Sequence, residues 1–256
     1  MKRPEVNLEN HAAVYEYYKT RNPHKPTAYF LHRLFGAIFH PQVSYAPGAE
    51  DAIGGHFGED GRVILAIEHR SGADPLVIAA AAQQERVLRP LRGNVIIPGL
   101  APLFKHRALR PVIDNFVALP TLRGKDVRRA SVPEAIATQI ESGRLPESAG
   151  DEWRLAAQAG ATQGMIDVCI TKADEGKNIA IFPQGTRQGG RVRSGLGRIA
   201  CGIADRDRFR IVTIGIDYSD TFTNLRPNVV VGMPLGIPET PDMVTEMVER
   251  AFQVNA

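Results

Sequence analysis

The segment Glu68-His69-Arg70-Ser71-Gly72-Ala73-Asp74-Pro75 sets an imidazole five residues before a carboxylate, at the corner between an apolar run and a helical stretch. If that turn folds back, Asp74 accepts from one ring nitrogen of His69 and leaves the other to act as a general base. Plainer roles fit the same residues. An Asp before a Pro makes a good helix N-cap with Pro at the first helical position, and His69 suits an ordinary loop. Ser71 lies two residues from His69 with no Gly-x-Ser-x-Gly elbow around it, so a serine hydrolase fits poorly. A His-Asp pair without a protein nucleophile suits activation of a substrate hydroxyl.

A second candidate is Phe182-Pro183-Gln184-Gly185-Thr186-Arg187, where a buried strand turns through Pro and Gly into a Gly- and Arg-rich loop ending at Gly197. Backbone N–H groups freed by such a turn, with Arg187, Arg191 and Arg193 nearby, would cradle an anion. A surface turn with incidental arginines fits the pattern equally well. The charge map bears on the choice. The net charge is only +3, but residues 86–129 carry ten cations against two acids and residues 187–198 carry four arginines and no acid, leaving −9 elsewhere. Segregation of this kind points to an anionic partner, against the alternative of a solvated basic face.

The elements that must position these residues follow from hydropathy. Apolar runs at 63–67, 95–97, 116–119, 179–182, 211–216 and 229–231 read as strands. Helical stretches fall between them at 75–87, 132–141, 153–173, 196–204 and 241–253, with a loop at 143–150. Continuously apolar strands alternating with helices predict a layered αβα domain, a central mixed sheet covered on both faces. Two helices precede it, at 7–20 and 27–39. In the second, Phe30, Leu31, Leu34, Phe35 and Ile38 make one apolar face, which suits either a lipid interface or a cap on the core.

Composition sets the outer bounds. The chain has 256 residues, 43% hydrophobic and 23% charged, an ordinary globular balance that excludes a disordered tail. A chain this long buries roughly 70–75% of its unfolded surface and folds without staples. Cys169 and Cys201 have no CxxC partner or His at ligand spacing, which predicts reduced thiols in a cytoplasmic protein and no zinc site. The longest uncharged run, 34–49, is broken by Gly36, Pro41, Pro47 and Gly48 and is too short to span a bilayer. The first 26 residues contain Glu5, Glu9 and Glu16 and no apolar core, so no secretory signal is predicted.

The two motifs together resemble those of the glycerolipid acyltransferases, typified by 1-acylglycerol-3-phosphate acyltransferase, whose signature is Asn-His-x4-Asp followed by Phe-Pro-Glu-Gly-Thr-Arg-Ser. Residues 116–123 look like that family's second block, with Arg123 as the cation that contacts the acceptor's phosphate, and 193–200 look like its basic, Gly-containing helix start. The apolar stretch 211–216 sits where the fourth block belongs, without its usual proline. Glu68 replaces the usual Asn, Gln184 the usual Glu and Gln188 the usual Ser. Gln184 cannot be a base but can hydrogen-bond an acceptor hydroxyl, and it removes a negative charge beside the proposed phosphate site.

What the resemblance implies is transfer of a fatty acyl group, in phospholipid biosynthesis, from acyl-CoA or acyl carrier protein to a hydroxyl of lysophosphatidic acid or glycerol 3-phosphate. His69 would be the general base oriented by Asp74, and Arg123, Gln184, Gly185, Thr186 and Arg187 would bind substrate. No metal or redox cofactor is called for. The expected partners are the thioester donor, the phosphorylated acceptor and an anionic membrane surface. The expected location is peripheral, on the cytoplasmic face, with residues 1–40 as a membrane-associating segment and 41–256 as the acyltransferase domain. Nucleic acid is not expected, since neither an aromatic-basic RNA signature nor a recognition-helix motif occurs. The alternative is a non-catalytic basic protein that binds lipid or another anion on the same frame.

Overall fold

The computed structural model describes residues 3–22, 24–100, 104, 110–115, 118–122, 131–185, 190–218 and 225–255. In chain order the elements are α1 (His11–Thr20), α2 (Lys25–Ile38), β1 (Gln42–Tyr45), α3 (Ala49–Gly58), β2 (Arg62–Ile67), α4 (Asp74–Gln84), β3 (Val95–Leu100), α5 (Arg110–Asn115) and β4 (Ala118–Thr121). They continue as α6 (Glu134–Glu141), α7 (Ala149–Asp174), β5 (Asn178–Ile181), α8 (Gly195–Gly202), β6 (Phe209–Asp217), β7 (Asn228–Leu235) and α9 (Pro241–Asn255). The chain forms two compact units, one from 1–22, 98–114 and 118–168 and the other from 23–97, 115–117 and 169–256.

The second unit holds the strand order β1-β7-β6-β2-β5-β3. β2 runs parallel to β5 and β6, and β3 parallel to β5, whereas β6 and β7 are antiparallel, so the sheet is mixed as expected. The continuous burial of β2 has a simple cause. Val63, Leu65 and Ile67 pack with Ile53 of α3 and Val77 and Ile78 of α4, while Ile64 and Ala66, on the alternate face, are equally buried. Because the central strands are parallel, their carboxyl ends meet along one edge of the sheet. The loops after β2, β5 and β6 therefore converge.

Three elements, β1, α3 and the six-residue α5, go beyond the sequence expectation. β1 is a four-residue edge strand of alternating exposure, paired with β7, and its Gln42-Val43-Ser44-Tyr45 pattern is too short to stand out. α3 contains Gly54, Gly55 and Gly58, which weaken any helical reading of the segment. Residues 116–117 of the expected third strand lie outside the described residues, and 118–119 fall in β4.

α2 resolves its two readings in an informative way. Ala28, Leu31 and His32 are buried and Phe35 packs on the core, whereas Phe30, Leu34 and Ile38 are 65%, 41% and 42% exposed. One helix thus caps the core with one face and offers an apolar stripe on the other. Among the described residues no helix is long and apolar enough to cross a membrane.

In the first unit, α1 is buried through its tyrosines. Tyr15 donates to the Pro120 carbonyl at 2.9 Å and Tyr18 to Asp114 Oδ1 at 2.6 Å, with Arg3 paired to the same carboxylate at 3.0 Å. Burial, then the Asp114 hydrogen bond, hold the Tyr18 phenol above its ordinary range.

Candidate active site

β2 delivers His69. The Glu68 N–H still bonds the Ile214 carbonyl of β6 at 2.8 Å, so the strand ends immediately before the histidine. Asp74 is the first residue of α4, and Ala73 is its N-cap, with no side-chain cap hydrogen bond. The capping reading of Asp74 is therefore replaced by the other one: the carboxylate bends back over the loop. Its Oδ2 accepts from His69 Nδ1 at 2.7 Å and from the Arg70 and Ser71 N–H groups, each at 2.9 Å. Its Oδ1 accepts from the Tyr218 hydroxyl at 2.6 Å. Asp74 is fully buried, and four donors offset the cost of removing it from water. With Nδ1 turned to the carboxylate, Nε2 is the ring nitrogen left to take a proton.

The loop after β5 closes the site from the neighbouring strand. Phe182 lies against the His69 ring, centroids 4.6 Å apart. Gln184 is buried, and its Oε1 accepts a long, 3.4 Å contact from the His69 N–H. An amide can serve here because an acceptor for a backbone donor is needed, not a base. Gly185 has φ +69 and donates to the Phe182 carbonyl at 3.1 Å, closing the turn in a conformation that favours glycine. A Cβ there would meet the Arg193 guanidinium at 3.2–3.3 Å. The Arg193 N–H bonds the Pro183 carbonyl at 2.9 Å, so the chain returns to lay this arginine beside the turn.

Of the residues singled out from sequence, the fold brings His69, Asp74, Gln184 and Gly185 together. Arg123, Thr186 and Arg187 lie outside the described residues, as does Gln188. Glu68, in the usual Asn position, pairs with Arg70 at 2.7 Å, which offsets the extra acid next to the histidine. The Arg70 and Ser71 N–H groups are committed to Asp74, which removes them as ready oxyanion donors. Tyr218 went unnoticed. Its only signal was its place just after the 211–216 strand, which matters once β6 is known to neighbour β2. Burial and the Asp74 carboxylate raise its phenol well above the ordinary value, so it is a firm donor.

The site is thus a part-buried histidine held by a fully buried aspartate at the carboxyl edge of a parallel-centred αβα sheet. The acyltransferase family model matches residues 54–216, which contain β2, the His69–Asp74 turn, β5 and most of β6. The chain belongs to that family and is an acyltransferase. Among solved structures, the 1-acyl-sn-glycerophosphate (LPA) acyltransferase PlsC of Thermotoga maritima is similar, with 15% identity, a TM-score of 0.48, and coverage of 91% of this chain and 80% of that chain. No curated protein sequence matches.

Proposed function

We propose that the chain moves a fatty acyl group from acyl-CoA or acyl carrier protein to a hydroxyl of lysophosphatidic acid or glycerol 3-phosphate. The observation that supports this best is the His69–Asp74 pair with its 2.7 Å hydrogen bond, in a turn that lacks a serine elbow. His69 Nε2 removes the acceptor's hydroxyl proton as that oxygen attacks the thioester carbonyl. The tetrahedral intermediate collapses, the C–S bond breaks, and the imidazolium returns the proton to the departing sulfur. Asp74 keeps the tautomer and steadies the imidazolium. No acyl-enzyme forms.

Arg123 and Arg187 bind the acceptor phosphate in this reading, with Gly185 and Thr186 shaping the turn, Gln184 positioning the His69 loop, and Arg193 adding a cation. Residues 1–40 associate with the cytoplasmic face of the membrane, with the exposed stripe of α2 lying among the lipids, and 41–256 carry the chemistry. The test is a donor-by-acceptor matrix: acyl-CoA and acyl carrier protein, each offered with glycerol 3-phosphate, lysophosphatidic acid and a non-phosphorylated alcohol, with products resolved by mass spectrometry. His69→Ala should lower product formation by a factor of about 10²–10⁴ while phosphate-ligand binding persists. Equal activity in the variant would overturn the mechanism.

A further inference from the structure

The amino ends of the parallel strands carry a second concentration of charge. A groove of about 530 Å³ in the second unit is lined there by Lys25, Arg62, Arg89, Arg92, Lys177 and Arg208, with Tyr29 and the acids Asp174 and Glu175. Arg62 opens β2, Lys177 precedes β5 and Arg208 precedes β6, whereas His69, Gln184 and Tyr218 follow the same three strands. The groove and the His-Asp pair therefore occupy opposite edges of one sheet, separated by the length of β2, roughly 20 Å at about 3.3 Å per residue. A phosphate held in the groove is too far away to belong to the acceptor whose hydroxyl reaches His69.

Structural duties account for only part of this charge. Arg62 and Arg208 both pair with Asp60, and Arg62 Nε also caps the carboxyl end of α7 through the Gly176 carbonyl at 2.8 Å. The lining acids are engaged elsewhere: Glu175 pairs with Lys172 at 2.7 Å, and Asp174 accepts from the Ala204 N–H at 3.0 Å. That leaves Lys25, Arg89, Arg92 and Lys177, drawn from three separate stretches of chain, with no ion pair among the described residues. Arg92 lies over the Tyr29 ring at 5.5 Å and donates to Gln83 Oε1 at 3.0 Å, which holds its guanidinium in place. Burial, then the charges of Lys25 and Lys172, push the Lys177 ammonium below its ordinary range, a cost that a bound anion would relieve.

The occupant's source is indicated by α2. Lys25 and Tyr29 are one turn apart on it, and the adjacent row of the same helix carries the exposed Phe30, Leu34 and Ile38. Cations beside an outward apolar stripe match the junction of headgroup and acyl chain. We propose that the groove binds the phosphate of an anionic glycerophospholipid that is not a reactant, docking the protein on a lipid surface through a site separate from the acceptor site. The lipid source of that phosphate rests on the membrane reading above.

Three forms of the full chain decide it: wild type, Arg89→Glu/Lys177→Glu, and Phe30→Ser/Leu34→Ser. Flotation with phosphatidylcholine vesicles, with and without phosphatidylglycerol, should show phosphatidylglycerol-dependent binding by wild type. The groove variant should lose that dependence, about tenfold or more, at unchanged melting temperature, and turnover of water-soluble donor and acceptor should match wild type. The stripe variant should bind both vesicle types less well. Equal vesicle binding by the groove variant and wild type, or none by wild type, overturns the proposal. Isothermal titration with inorganic phosphate separates the sources: loss of phosphate binding in the groove variant without loss of vesicle binding would mean a soluble phosphate ligand and would overturn the lipid assignment. Acyl transfer is scored by product and docking by flotation, so either reading can fail alone.

Discussion

The orientation of one carboxylate organises the site. Asp74 has only two oxygens, and the fold points four donors at them, so its position is overdetermined. Among the described residues Tyr218 is the donor to Oδ1, which makes it a positioning residue acting through Asp74. Under the proposed mechanism, Tyr218→Phe should lower kcat by about tenfold with the acceptor KM unchanged, because it loosens the proposed base without touching the proposed phosphate contacts. A purely structural role would lower the melting temperature and leave kcat intact. Gln184 teaches a related lesson. Its departure from the usual Glu looked like a question of acceptor choice, yet its oxygen faces the His69 backbone.

Among the elements, the basic, Gly-containing start of α8 has a packing reason. A Cβ at Gly197 would overlap the Pro241 carbonyl oxygen and meet its Cα at 2.7 Å, so α8 and the start of α9 approach backbone to backbone. The obstacle is backbone and cannot rotate away. Gly197→Ala should cost about 1–3 kcal/mol in denaturant melts, whereas Gly195→Ala, with nothing within 4 Å, should be near neutral. α2 shows what periodicity can and cannot do. It identifies a helix with apolar residues at 30, 31, 34, 35 and 38, and packing against α4 then selects Leu31 and Phe35 as the inner ones. β1 and α3 escaped notice because pairing with β7 and burial of Ile53, both long-range, hold segments whose local preferences are weak.

For the molecule as a whole, stability against acid should depend on His32. It is buried under α4, with Nδ1 at 3.0 Å from the Ala79 carbonyl and Nε2 accepting from the Gly93 N–H at 3.4 Å, a pattern that requires the neutral ring. Burial depresses its pKa below the ordinary 6.5. The sign follows: the unfolded chain takes up a proton near 6.5 and the folded chain resists it, so this contribution is complete above 6.5 and is lost as pH falls through the depressed value. Melting temperature should fall with pH in that window, and His32→Asn should flatten the slope.

By itself the sequence determined the chemistry on offer. A His and an Asp at the end of an apolar run, a Pro-x-Gly turn after another, and strands apolar at every position are local features, and local features are what one chain displays. The parallel sheet decided the rest. By aligning the ends of β2, β5 and β6 it set Tyr218 on Asp74 and Arg193 beside Gly185, and it gathered Lys25, Arg89, Arg92 and Lys177 at the opposite edge. These pairings join residues up to 152 positions apart, and strand order, which no residue carries alone, is what makes them neighbours.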